Sequence, residues 1–153
     1  MNNDKLFTAT IKYLKIVTLF ATVMCVPMLY FQSFDPMHGL DSMILNDLYG
    51  TPTMPDAARP LFNFMFLLFD WLSILSMLTV YFVVRYGLAR KERWAYFAYL
   101  LIGIFWPLGA GVIAWYCGVN SYFVSVAMMT VLFAPPAILL FPYFKKTPTP
   151  DAR

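Results

Sequence analysis

The chain has 153 residues, 61% of them hydrophobic and 12% charged. Soluble domains carry roughly 45–50% apolar and about 25% charged residues, so this composition excludes an ordinary soluble domain and points to the membrane class. The net charge of +3 is not a nucleic-acid signature, because the basic residues collect at the ends of apolar runs and not on one polar face.

The single histidine and the two cysteines narrow the chemistry further. One histidine cannot supply a bis-histidine haem within one chain, and Cys25 and Cys117 stand alone in separate apolar segments, with no CxxC pair for dithiol exchange. No cofactor and no metal are expected. Nothing in the chain has the form of a phosphate loop or of a nucleophile with a placed base.

Residues 1–15 carry Lys5, Lys12 and Lys15 ahead of an apolar run. A basic start before an apolar run is the outline of a signal peptide. The run to about Phe34 is too long for a typical signal core, and Val23-Met24 before Cys25 makes a poor lipoprotein cleavage site. A first membrane span over ~16–34 is expected instead. Residues 35–59 form the only long connection. Within it Leu40, Met43, Ile44 and Leu48 fall at helical spacing and Gly50 is a natural stop, which predicts a short amphipathic helix capping the bundle or lying on the membrane. Its carboxylates lack the spacing of a calcium loop.

Further spans are predicted at ~61–84, ~94–117 and ~122–141, each long enough to cross ~30 Å of hydrocarbon. Pro107 interrupts the third and Pro135-Pro136 the fourth, where a kink is expected. Gly103, Gly109 and Gly111 suit close helix packing. Residues 1–146 make one domain, and the tail 147–153 is expected to be disordered. Ten of the eleven Lys and Arg residues fall on the side of the termini and the 85–93 loop, with Arg59 alone opposite. The basic asymmetry places both termini in the cytoplasm and residues 35–59 outside it, in a bacterial inner membrane. The predicted fold is all-α: an antiparallel four-helix transmembrane bundle with a short extracytoplasmic cap.

The most informative residue is Asp70, a carboxylate near the middle of the second span. An ionisable group there costs at least ~2.5–3.5 kcal/mol on insertion scales, so it faces protein or water. At ~1.5 Å rise per residue, Asp70, Trp106, Thr130 and Thr22 share a depth of ~12–18 Å from the outer surface. Asn63 and Ser73 lie on the face of Asp70 at about 100° per residue. These six residues are the candidate ligand-binding set, lining a polar chamber beneath the cap. Asp70 has two open readings: a protonated donor that ties helices together, or a group that binds a cation, a proton or a polar ligand.

The stretch Arg59-Pro60-Leu-Phe-Asn-Phe, followed by Gly87-Leu-Ala-Arg90-Lys-Glu-Arg93-Trp94-Ala95-Tyr96, resembles a pattern in small four-span bacterial proteins loosely grouped as DoxX-like. The span count is also similar to that of the sterol-isomerase-like (EXPERA) family, whose intramembrane acidic and histidine residues have no counterparts here beyond Asp70. The expected function is non-catalytic: an accessory subunit of a membrane complex, or a small protein binding lipid or another hydrophobe. An oligomeric transporter or channel using Asp70 as coupling carboxylate is the alternative, and a membrane enzyme on a lipid-like substrate ranks third. The expected partners are membrane lipid and other membrane subunits or further copies of the chain, and no nucleic acid.

Overall fold

The computed structural model describes residues 3–30, 38–52, 56–57 and 59–145. They are helical almost throughout: α1 (Asn3–Tyr30), α2 (His38–Tyr49), α3 (Arg59–Phe82), α4 (Arg93–Leu100), α5 (Trp106–Tyr116) and α6 (Phe123–Lys145). Four stretches are long and apolar enough to cross a bilayer: Asp4–Val26, Leu67–Arg90, Arg93–Tyr116 and Asn120–Lys145. The surface they present is apolar. Val112, Ile113, Trp115, Val131 and Ile138 are each at least 64% exposed, a disposition suited to lipid and costly in water.

The first helix begins earlier than its hydrophobicity implies. Asp4 sits in the first turn, where a negative charge favours the helix N-terminus, and no breaker follows before Pro27. Lys5 and Lys12 are therefore carried on the helix surface, where long basic side chains extend toward water over their own aliphatic stems. Residues 31–34 of the predicted first span lie outside the described residues, as does the 147–153 tail.

Of the two π-helical turns among the described residues, one has a local cause in the sequence. Pro107 has no N–H to complete the α-helical ladder. The backbone takes a π-helical turn over Leu101–Phe105, and the Trp106 N–H bonds to the Leu101 carbonyl. A second π-helical turn, Val83–Gly87, carries α3 into a 3-10 turn at Leu88–Arg90. Lys91 then takes a left-handed conformation (φ 59°), and Glu92 donates its N–H to the Gly87 carbonyl at 3.1 Å. The chain reverses there, and α4 starts at Arg93.

One end of the bundle gathers the first turn of α1, the 88–92 turn and the end of α6. Lys91 pairs with Asp4 at 3.7 Å and lies over the rings of Phe7 and Tyr143. Phe7 and Tyr143 are themselves 4.9 Å apart, centroid to centroid. The hydrophobic core belongs to this half: Leu14, Val80, Val84, Leu88, Tyr99 and Leu140 are wholly buried. Toward the other end the helices part. α3 packs tightly on α1, and α6 contacts both α1 and α5, whereas α3 touches the third span only weakly, near its π-helical turn.

Three tyrosine hydroxyls reach carbonyls of α6, one of which a proline has left open. Pro136 leaves the Leu132 carbonyl without its helical donor, and the Tyr13 hydroxyl points to it in a long contact of 3.4 Å. Tyr99 donates to the Phe133 carbonyl at 2.6 Å and Tyr96 to the Ala137 carbonyl at 3.0 Å. α6 stays helical through the proline pair. Of the three glycines assigned to packing, Gly111 bears it out most clearly, since a Cβ there would lie 2.9 Å from Val126. Gly103 faces the Tyr99 ring at an ordinary 3.4 Å. Gly109 has nothing within 4 Å and needs another explanation.

At the opposite end α2 docks against the 3-10 turn Asn120–Tyr122 that opens α6. The sequence periodicity chose Leu40, Met43, Ile44 and Leu48 as its apolar face; of those whose burial is described, Ile44 is half-buried and Met43 and Leu48 are exposed, and Leu45 is buried instead. Asp47 accepts the Ser121 N–H at 2.8 Å. That bond holds the Asp47 carboxyl below its ordinary value of 3.8. A depressed folded-state pKa contributes stability that is complete above the unfolded value and lost as pH falls through the folded one. Docking of α2 is therefore expected to persist at neutral pH and to weaken below pH 3.8. Amide exchange at Ser121 should speed up in that window beyond its intrinsic change, and Asp47→Ala should produce the fast rate at pH 7. Unchanged exchange in the variant would mean that another contact holds the cap.

Candidate functional site

The six candidate residues divide between different faces of the bundle. Thr22 is buried, on the α1 face that includes Leu14 and Thr18. Thr18 and Thr22, small and four residues apart, lie on this buried face of α1, whose main packing partner is α3. Asp70 is half-buried and lies on the α3 face of Ile74 and Met77, both buried. α1 is the main packing partner of α3 among the described residues, so this face meets α1. Ser73, half-buried, is one turn further along α3. Thr22, Asp70 and Ser73 thus gather along the α1/α3 seam.

Trp106 and Thr130 do not join them. Trp106 is 55% exposed, and Thr130 is exposed on α6. Equal depth places residues at one level, but the rotation of each helix decides which way they point. The side chain of Asn63 lies outside the described residues. The hydroxyls are occupied as donors within their own helices: Thr22 to Thr18, Ser73 to Phe69 and Thr130 to Val126, at 2.7–2.9 Å. Such back-bonds satisfy the donor and leave oxygen lone pairs for a further partner. Among the described residues, no three His, Cys, Asp or Glu side chains come together as a metal set.

Trp106 belongs instead to a lateral groove where α3 and the third span part. Leu72, Leu75, Ser76 and Thr79 form one wall. Leu101, Ile102, Phe105 and Trp106 form the other, and the groove has a volume of about 510 Å³. The α3 wall follows the spacing i, i+3, i+4, i+7, one stripe of a helix. At about 100° per residue this stripe is on the opposite side of α3 from Asp70, so seam and groove are distinct. The Leu101–Phe105 π-helical turn shapes the second wall. Widening the helix there turns Leu101, Phe105 and Trp106 outward together, each at least 55% exposed.

The groove is mainly apolar, with the hydroxyls of Ser76 and Thr79 as its polar groups, the usual composition of a hydrophobic-ligand pocket. Thr79 spends its proton on the Leu75 carbonyl at 2.7 Å. Sequence reasoning missed this wall because it looked for the intramembrane charge; the 72–75–76–79 stripe was the available signal. Comparisons of the chain with protein-family models, with curated proteins and with solved structures return no match.

Proposed function

We propose that this chain is an integral membrane protein that holds a hydrophobic, lipid-like ligand in the groove between α3 and the third span, without a catalytic step. In this reading the four spans run antiparallel through a bacterial inner membrane, with both termini and the 85–93 turn at the cytoplasmic face. The observation that carries it is the groove itself: about 510 Å³, within the ~300–1,000 Å³ of small-ligand sites, and open sideways to where lipid would be. The grouping of Lys91, Asp4 and Tyr143 at one end fits the topology that the basic residues imply.

The test is purification in a mild detergent followed by identification of what accompanies the protein. A lipid or other hydrophobe retained at near-stoichiometric amount is the expected result, and Leu75→Trp, which fills the groove, should displace it. A protein partner at fixed stoichiometry, with no retained hydrophobe, would overturn the reading in favour of an accessory subunit. For the topology, a cytoplasm-active reporter fused after Arg153 is expected to be active, and a periplasm-active one silent.

A further inference from the structure

Resting on that reading of the groove, we infer that its occupant is a neutral lipid alcohol, an apolar body whose hydroxyl donates to the Ile102 carbonyl and accepts from Ser76. Backbone donors run short where the π-helical turn meets Pro107. The Ile102 carbonyl accepts from Trp106 in a regular helix and from residue 107 in a π-helical register. Trp106 gives its N–H to Leu101, and Pro107 has none to give. No side-chain hydrogen bond among the described residues ends on Ile102. Its carbonyl is left as an open acceptor. A helical carbonyl points along the axis toward the residue four positions on, and both ends of that step, Ile102 and Trp106, line the groove.

Depth makes the open acceptor costly. Ile102 is nine residues into the Arg93–Tyr116 span, and Ser76 is nine into the Leu67–Arg90 span. At 1.5 Å per residue each lies ~14 Å from its entry, close to the middle of a ~30 Å hydrocarbon core. A backbone carbonyl there must find its partner in protein or ligand, since lipid tails offer none. The opposite wall brings Ser76, which forms no hydrogen bond among the described residues, and Thr79, whose proton is committed to the Leu75 carbonyl at 2.7 Å. Ser76 keeps a proton to give and Ile102 needs one.

A hydroxyl is the smallest group that meets both demands, with one proton for the carbonyl and lone pairs for Ser76. Esters and ketones bring acceptors alone and leave Ile102 unmet. A charged headgroup is too costly at this depth. The matching ligand is a neutral alcohol on an apolar body, of which a single-chain alcohol and a diacylglycerol are the two lipid sources.

Trp106 makes the groove observable. In the full chain carrying W71F, W94F and W115F, reconstituted in phosphatidylcholine nanodiscs, Trp106 is the remaining indole. Brominated octadecanol should quench it saturably, at a roughly fivefold lower mole fraction than its methyl ether, the scale of one hydrogen bond inside a membrane. An alcohol with no partner in the groove would show the reverse order, because its hydroxyl gives up interfacial water to enter. Ser76→Ala, which leaves the backbone alone, should reduce the preference to about twofold. Pro107→Ala returns an N–H to the ladder, so the Ile102 carbonyl gains a helical donor in either register. The preference should then disappear while the ether still binds. Brominated dioleoylglycerol tells the two sources apart: saturation below that of octadecanol assigns the groove to a diacylglycerol, and saturation above it to a single-chain alcohol.

Equal saturable quenching by alcohol and ether overturns the hydroxyl requirement while leaving the groove reading in place. Quenching that never saturates with any probe overturns both. A preference that survives Pro107→Ala unchanged refutes the Ile102 carbonyl as the partner. If the triple Trp variant does not fold, native mass spectrometry of the otherwise unmutated chain should show octadecanol retained over its methyl ether by a similar factor. Ser76→Ala should narrow that gap, and parity in the unmutated chain refutes the lipid alcohol.

Discussion

Tyr99→Ala is expected to lower stability by about 3–5 kcal/mol, the range for truncating a large aromatic side chain in a close-packed interior. Tyr99 is fully buried and lies where the third span meets α6, with its ring 6.3 Å from that of Phe133. Gly103 lies beside the ring, whose Cε2 is 3.4 Å from the place a Cβ would occupy there. Collapse into the vacated space would have to move α6, which is held at the same level by the Tyr96 bond to Ala137. Tyr99→Phe separates the two contributions. It keeps the ring and removes only the bond to the Phe133 carbonyl, and interhelical hydrogen bonds in membranes average ~0.6 kcal/mol with a maximum near 1.7. Equilibrium unfolding of both variants in the same detergent is the measurement. If Tyr99→Phe costs as much as Tyr99→Ala, the hydrogen bond and not packing anchors α6; if neither costs 1 kcal/mol, the interface is not the core of the bundle.

Gly87→Ala should be nearly as damaging, by a different route. A Cβ at Gly87 would collide with the Cβ of Ala95 and lie 3.1 Å from the Trp94 ring. The alanine methyl group cannot rotate away, because its position is set by the backbone of α4. The turn between α3 and α4 must therefore open. Overpacking usually costs about 1–3 kcal/mol, and the upper end is expected, since both residues are buried and the 88–92 reversal is short. The clash predicts its own rescue. Ala95→Gly alone should be mildly destabilising, whereas G87A/A95G should recover most of the loss, a coupling expected of side chains in contact. Additive effects in thermal unfolding would show that the two positions are farther apart than described.

The helical class, four stretches able to span a bilayer and the cap helix ending at Gly50 were legible in the sequence. Each follows from information local to a segment: run length against bilayer thickness, and a glycine that takes φ 67° at little cost. The start of α1 at Asn3 was less legible, because hydrophobicity marks where a helix can meet lipid and not where its hydrogen bonds begin. Which residues face each other was not legible at all. Asp70 and Trp106 share a depth by arithmetic, yet one lies on the α1 seam and the other in the groove.

That outcome depends on two properties of the packed molecule. The first is helix rotation, which turns the face of α1 carrying Thr18 and Thr22 into the bundle, where α3 is its main packing partner. The second is the π-helical turn before Pro107, which resets the register of every later residue on the third span. The tyrosine hydroxyls on the α6 carbonyls belong to the same class, since Tyr99 and Phe133 meet across 34 residues of sequence. Apolar character and backbone preference are carried by each residue alone and survive in the sequence as a pattern. The direction a side chain points is a property of two surfaces fitted together, and only the tertiary structure decides it.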